Sequence, residues 1–184
     1  MNTDAALYQD LSKILVSREH IALAVKGLGE KITHDYAGKE VVMVCILKGA
    51  CVFFTDLIRE VDLPIVTEFM SVSSYGSGTS STGVVRIVKD LDRNIEGKDV
   101  LIVEDIVDSG RTLSYLVHLL EQRHPNSIRI ATLLDKPARR VVDLKVQYSC
   151  FNIPDAFVVG YGLDYDEKYR NLPDIGVLSP HIYE

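Results

Sequence analysis

Two carboxylates stand side by side at Glu104 and Asp105, directly behind the apolar run Leu101–Val103. On an extended chain such a pair repel each other and lose hydration unless a cation or hydroxyl donors share them. A divalent metal or a polyhydroxy ligand would relieve that cost; a solvated pair at a strand end is the plainer alternative. Just beyond, Asp108-Ser109-Gly110-Arg111-Thr112 opens a segment with helical periodicity through Leu116, Leu119 and Leu120. Gly110 permits a tight turn, Ser109 and Thr112 bring hydroxyls, and the N–H groups that open a helix carry its positive dipole end. That combination suits a phosphate, or is a plain turn with a threonine cap. It is not a Walker A loop, because GxxxxGK[ST] is absent.

Other segments add polar chemistry at the ends of apolar runs. Val41–Leu47 is followed by Lys48-Gly49, and Ala131–Leu134 by Lys136. Taken singly, each lysine reads as a surface charge. Ser73–Gly83, SSYGSGTSSTG, holds only Ser, Thr, Gly and one Tyr; it cannot bury apolar area and reads as a mobile hairpin tip. FVVGYGLDYDEKYR begins at Phe157.

Something must hold these segments together. Ile21, Val25, Leu28 and Ile32 recur at helical spacing, with Ser17 as a cap before them and Gly38 as a stop after. The β-branched run Val41–Leu47 has the form of a strand buried on both faces. A helix over Ala50–Val61, strands at Ile65–Val72 and Val84–Val88, a strand at Val100–Glu104 and a helix over Thr112–Gln122 follow. Strands are expected again at Ile128–Leu134, Val141–Tyr148 and Phe157–Tyr161. Strands alternating with helices predict an α/β fold, a mostly parallel sheet with helices on both faces. In such sheets ligands sit beyond the carboxyl ends of the strands. The loops after Leu47, Glu104, Leu134 and Tyr161 are therefore the ones to watch.

The 184 residues suit one domain, 47% hydrophobic and 25% charged, without a biased tract or internal repeat. A net charge of −6 speaks against a nucleic-acid partner. Cys45, inside VVMVCIL, reads as a core residue; the odd cysteine count without CxxC spacing gives no sign of a disulfide framework or zinc site. No run approaches the ~20 apolar residues of a membrane span, and the first residues lack a secretory signal pattern. A cytoplasmic location without a membrane partner is expected.

VLIVEDIVDSGRTL resembles the phosphoribosyl pyrophosphate motif of the type I phosphoribosyltransferases: a hydrophobic strand, two acids, then D-[ST]-G-x-T. The resemblance extends from about Leu47 to Arg170 and is strongest with the purine branch, of the hypoxanthine type. It implies that branch's fold, with a small hood built from the chain ends, Mg2+ as cofactor, and a homo-oligomer, dimer or tetramer. It implies that Glu104 and Asp105 bind the ribose hydroxyls and, with Asp164, hold the metal. It places Asp108, Ser109, Gly110, Arg111 and Thr112 around the 5-phosphate, counts Ile106 and Val107 among the substrate-binding residues, and puts Lys48 and Gly49 on pyrophosphate, after a cis peptide at Leu47–Lys48. Ser74 and Tyr75 match the lid pair of a loop at about 73–83, and Arg170 a pyrophosphate contact. Lys136 would meet the purine 6-oxo group, Phe157 would stack on the base and Val158 would meet its edge. Asp108 is the candidate general base or proton relay at purine N7.

The implied activity is purine salvage: phosphoribosyl transfer from phosphoribosyl pyrophosphate to hypoxanthine, and to guanine, giving IMP or GMP and pyrophosphate. A ligand-sensing regulator that kept the fold is the main non-enzymatic alternative, and no DNA-binding segment speaks for it. A xanthine–guanine transferase differs only at purine C2. An unrelated flavodoxin-like domain would leave FVVGYGLDYDEKYR without a role.

Overall fold

The computed structural model describes residues 6–74 and 85–183 of the chain. In chain order the elements are β1 (Leu11–Val16), α1 (Arg18–Asp35), β2 (Val41–Leu47), α2 (Cys51–Glu60), β3 (Ile65–Ser74) and β4 (Val85–Lys89). There follow β5 (Asp99–Val107), α3 (Arg111–Glu121), β6 (Ser127–Asp135), β7 (Tyr148–Asn152), β8 (Val158–Val159) and β9 (Ile175–Leu178).

The run VVMVCIL has no polar residue to turn toward water, and β2 duly lies inside a six-stranded sheet of order β4-β3-β2-β5-β6-β7. Only β4 runs antiparallel to its neighbour; the other four pairings are parallel. Alternate residues of β2 enter different cores. Val41, Met43 and Cys45 pack with Ile21, Val25 and Ile32 of α1 and with Phe53, Phe54 and Leu57 of α2. Val42, Val44 and Ile46 pack with Leu113, Leu116 and Leu120 of α3. Helices therefore cover both faces, as the sequence predicts. No described helix is long and apolar enough to cross a membrane.

The helix boundaries follow local chemistry. Ser17 caps α1, its side chain accepting from the His20 backbone N–H at 3.4 Å. Beyond the end of α1 the chain turns at Gly38, whose φ of +77° suits glycine.

A second sheet, β1-β9-β8, joins early and late parts of the chain in the expected hood. Its own small core contains Val159, Tyr169, Leu172 and Leu178. Arg18 and Tyr8 pin the hood to α1 through Asp174, whose side chain is 1% exposed. The Asp174 carboxylate accepts from the Arg18 backbone N–H at 2.7 Å and from its guanidinium at 2.9 Å, and from the Tyr8 hydroxyl.

Three strand expectations need correction. The strand expected at Val141–Tyr148 is instead β7, beginning at Tyr148, where Tyr148 comes into register with Ala131 of β6. Residues 140–147 run irregularly over the sheet edge, with Val141 exposed and Leu144 and Val146 packed toward the α3 side. The expected strand Phe157–Tyr161 shrinks to Val158–Val159, since Gly160 and Gly162 both turn with positive φ. The strand expected at Val100–Glu104 runs on to Val107, so Glu104 and Asp105 lie within β5 rather than after it.

Candidate active site

β5 leaves the sheet interior carrying Glu104 and Asp105 on its last turns of pleat. Ile106 and Val107 still pair with Leu134 and Asp135 of β6 beyond them. The chain then turns through Asp108–Gly110 into α3, with Gly110 at φ +79° as the cap residue. Gly110 has no side chain to cap the helix, so the first N–H groups of α3 face the loop; Ser109 Oγ approaches only the Arg111 N–H, at 3.5 Å. An open helix N-terminus of this kind suits an anion.

At the end of β2 the Leu47–Lys48 peptide is cis, as the resemblance implies. Gly49 lies flat against Asp105, and a β-carbon there would fall on the Asp105 carboxylate. Gly162 in turn approaches the Gly49 carbonyl with φ +102°, so a side chain there would collide with backbone. Close packing of the loops after β2 and β8 against β5 thus depends on these two missing side chains.

Together these loops line a cavity of about 360 Å³. Lys48, Gly49, Glu104, Asp105, Ile106, Val107, Asp108, Ser109, Gly110, Thr112, Asp164 and Arg170 all contribute. A second cavity, of about 280 Å³, is lined by Lys136, Ala156, Phe157, Val158 and Leu163. Asp105, Ile106, Asp108 and Asp164 line both. Arg111 is exposed on the first turn of α3 and lines neither. The side chain of Ser74, Tyr75 and most of the segment 73–83 lie outside the described residues.

The first cavity has an electrostatic asymmetry. Burial, and then the neighbouring Asp105 charge, hold the Glu104 carboxyl well above the usual carboxylate range. One buried oxygen of Glu104, Oε2, has no hydrogen-bond partner. Burial likewise pushes Asp105 up to about 6, against the Ile106 N–H that donates to it at 2.7 Å and against Arg170. Opposite them, Arg170 pairs with Asp164 at 2.9 Å and donates to the Gly162 carbonyl at 2.8 Å. Glu167 bridges Lys48, at 3.0 Å, and Arg170, at 3.2 Å. Among the described residues no group of three His, Cys, Asp or Glu side chains is already arranged around a metal position.

In the second cavity Lys136 is buried, 7% exposed, and donates to the Ala156 carbonyl at 2.8 Å. Asp155 lies 3.6 Å from its ammonium. Arg139 links that carboxylate to Asp108, with 2.9 Å to Asp108 and 3.0 Å to Asp155. Phe157 remains 40% exposed, an unusual state for a phenyl ring on a strand flank.

Reasoning from sequence missed Glu167, Arg139 and Asp155. Their signals were weak: Glu167 and Arg139 sit in charged stretches that read as solvated surface, Asp155 is a lone acid after a proline, and only their partners reveal them.

Residues 12–166 match the phosphoribosyl transferase domain family. The chain belongs to that family. This phosphoribosyltransferase is 54% identical to the hypoxanthine-guanine phosphoribosyltransferase of Streptococcus thermophilus strain CNRZ 1066 over 177 residues, 96% of this chain and 98% of that one. It is also 54% identical to the enzyme of the same name from Bacillus subtilis strain 168 over 175 residues, 95% and 97% of the two chains. A crystal structure of a hypoxanthine phosphoribosyltransferase from Staphylococcus aureus is 50% identical and superposes with a TM-score of 0.96, covering 100% of both chains. The mostly parallel α/β sheet read from strand and helix alternation, and the phosphoribosyltransferase fold implied by the resemblance, are therefore the fold this chain has.

Proposed function

We propose that the chain transfers the phosphoribosyl group of phosphoribosyl pyrophosphate to N9 of hypoxanthine, and of guanine, releasing pyrophosphate and forming IMP or GMP. The observation that carries this reading is the shared wall. One cavity has a phosphate cradle and cationic loops, the other a buried lysine and an open aromatic ring. Asp105, Asp108 and Asp164 stand between them. A nucleotide laid across that wall puts C1 of its ribose where the two cavities meet.

The loop Asp108–Thr112 binds the 5-phosphate through the open N–H groups of α3 and the hydroxyls of Ser109 and Thr112. Glu104 and Asp105 accept from the ribose hydroxyls, which gives the unpartnered Glu104 oxygen its donor. Lys48, the backbone at Gly49 and Arg170 receive the departing pyrophosphate, whose growing negative charge they stabilise. Positive charge builds on the ribose as the C1–oxygen bond lengthens, close to the same two carboxylates. Lys136 donates to the purine 6-oxo group, which favours oxopurines over adenine, and Asp108 takes or relays the proton at N7. Phe157 and Val158 form the base platform.

The acids present fit Mg2+. Its usual sites use one or two carboxylates and complete the shell with water and substrate phosphates, which the adjacent Glu104 and Asp105, with one Glu104 oxygen unpartnered, can serve. Glu104, Asp105 and Asp164 would hold it. Bound there, it supplies charge neutralisation for the leaving pyrophosphate. The same reading has the enzyme act in the cytoplasm as a homo-oligomer.

The test is a panel of hypoxanthine, guanine, xanthine and adenine, each with phosphoribosyl pyrophosphate and Mg2+, with nucleotides separated by chromatography. IMP and GMP are expected. Turnover of adenine alone, or of none of the four, would overturn the assignment.

A further inference from the structure

The ring of Phe157 does not stand free beside the second cavity. Tyr183 is stacked on it, with centroids 4.9 Å apart and planes 22° from parallel. Tyr165 meets the same ring edge-on at 5.6 Å and 85°, and the two tyrosines lie 6.4 Å from each other. Of the three, only Phe157 lines the cavity. The tyrosines pack on the phenyl ring from outside the residues that line the cavity.

The backbone is arranged to deliver Tyr183 there. The Leu178 N–H of β9 donates to the Phe157 carbonyl at 2.9 Å, fixing the strand beside the ring. The single 3-10 turn Pro180–Ile182 then brings the chain back, closed by the Tyr183 N–H on the Pro180 carbonyl at 3.0 Å. Tyr165 comes from the other direction, one residue after Asp164, which lines both cavities.

We propose that Tyr183 is a positioning residue for the base: its ring backs Phe157 and holds the phenyl plane in the orientation a purine stacks on. The proposal rests on the transferase reading above. A phenyl side chain 40% exposed would otherwise sample several rotamers, and freezing it on binding would weaken affinity for the base. Stacked aromatic pairs supply the needed restraint and leave the cavity face clear. Tyr183 lines neither cavity and reaches a base through the stacked Phe157 ring, so its effect falls on the base half of a ligand and leaves the sugar phosphate half untouched.

The test is calorimetric titration of the full chain with IMP and, separately, with ribose 5-phosphate, for the wild type, Tyr183→Ala and Tyr183→Phe. Tyr183→Ala should bind IMP about 3–10-fold more weakly while ribose 5-phosphate affinity stays the same. Tyr183→Phe keeps the ring and should restore IMP affinity to within about twofold of wild type. Wild-type affinity for IMP in Tyr183→Ala overturns the proposal. So does equal weakening of both ligands, which marks a general loss of structure, or a Tyr183→Phe as weak as Tyr183→Ala, which marks a hydroxyl contact. A wild type that binds ribose 5-phosphate and not IMP breaks the transferase reading itself.

Discussion

Asp108→Asn separates chemistry from folding more cleanly than other substitutions at this site. The side chain is 42% exposed, and among the described residues its ion pair is with Arg139, itself 49% exposed. Pairs so open to solvent are worth about 0–1 kcal/mol, and asparagine keeps an oxygen that can accept from Arg139. For a chain of this size 1 kcal/mol moves the melting temperature by about 2–4 °C, which bounds the stability change. Losing a general base costs about 10²–10⁴-fold in kcat, or about 2.7–5.5 kcal/mol of barrier. The two effects thus differ by a wide margin. Initial rates of IMP formation at saturating hypoxanthine and phosphoribosyl pyrophosphate, run beside a thermal melt, measure both. A kcat within about threefold of wild type would remove Asp108 from proton transfer. An equally deep fall in melting temperature would show that the residue holds the loop instead.

Lys136→Met replaces a buried ammonium with a chain of similar length, so kcat/KM for hypoxanthine should fall about 10–100-fold, the worth of a charged hydrogen bond; unchanged use of hypoxanthine contradicts its place at the 6-oxo group. Asp174→Ala should destabilise the protein by about 2–3 kcal/mol, because Arg18 and Tyr8 lose their shared acceptor; a denaturant midpoint equal to wild type refutes that. Burial alone would raise the Asp174 carboxyl, yet the hydrogen bonds from Arg18 and Tyr8 hold it below its ordinary value. Its contribution is therefore complete above the unfolded value of about 3.9 and is lost as pH falls through the lower folded one, so acid melts of wild type and variant should converge there. Excess EDTA should stop turnover reversibly while leaving the melt of substrate-free protein unmoved, and full activity in EDTA would exclude the proposed Mg2+.

The central fold was legible because its strands are marked twice, by β-branched composition and by the polar loops that end them. Val41–Leu47 emerged at its full length for that reason. The hood was harder. β1 reads LSKILV and β9 IGVL, short stretches whose partners lie at the other end of the chain, and no local period reveals a pairing of that kind. Val141–Tyr148 misled for the opposite reason: its alternation is that of a strand, but the register available beside β6 starts only at Tyr148. At the site, Glu104, Asp105 and the Asp108–Thr112 loop stood out because two adjacent acids and a Ser-Gly turn need explaining. Glu167 and Arg139 did not, since a charge in a charged stretch says nothing of its partner until the chain is folded.

The pairing of β1 with β9 also sets an order of assembly. β2, β5, β6 and α3 can come together from contiguous chain, carrying the Asp108–Thr112 loop with them. β1, made early, has no sheet partner until β9 is made near the end. The platform around Phe157 waits on the same event, because Leu178 anchors its carbonyl. A growing chain therefore makes the Asp108–Thr112 loop well before the hood, and Phe157, Asp164 and Arg170 gain their final surroundings only when β9 arrives.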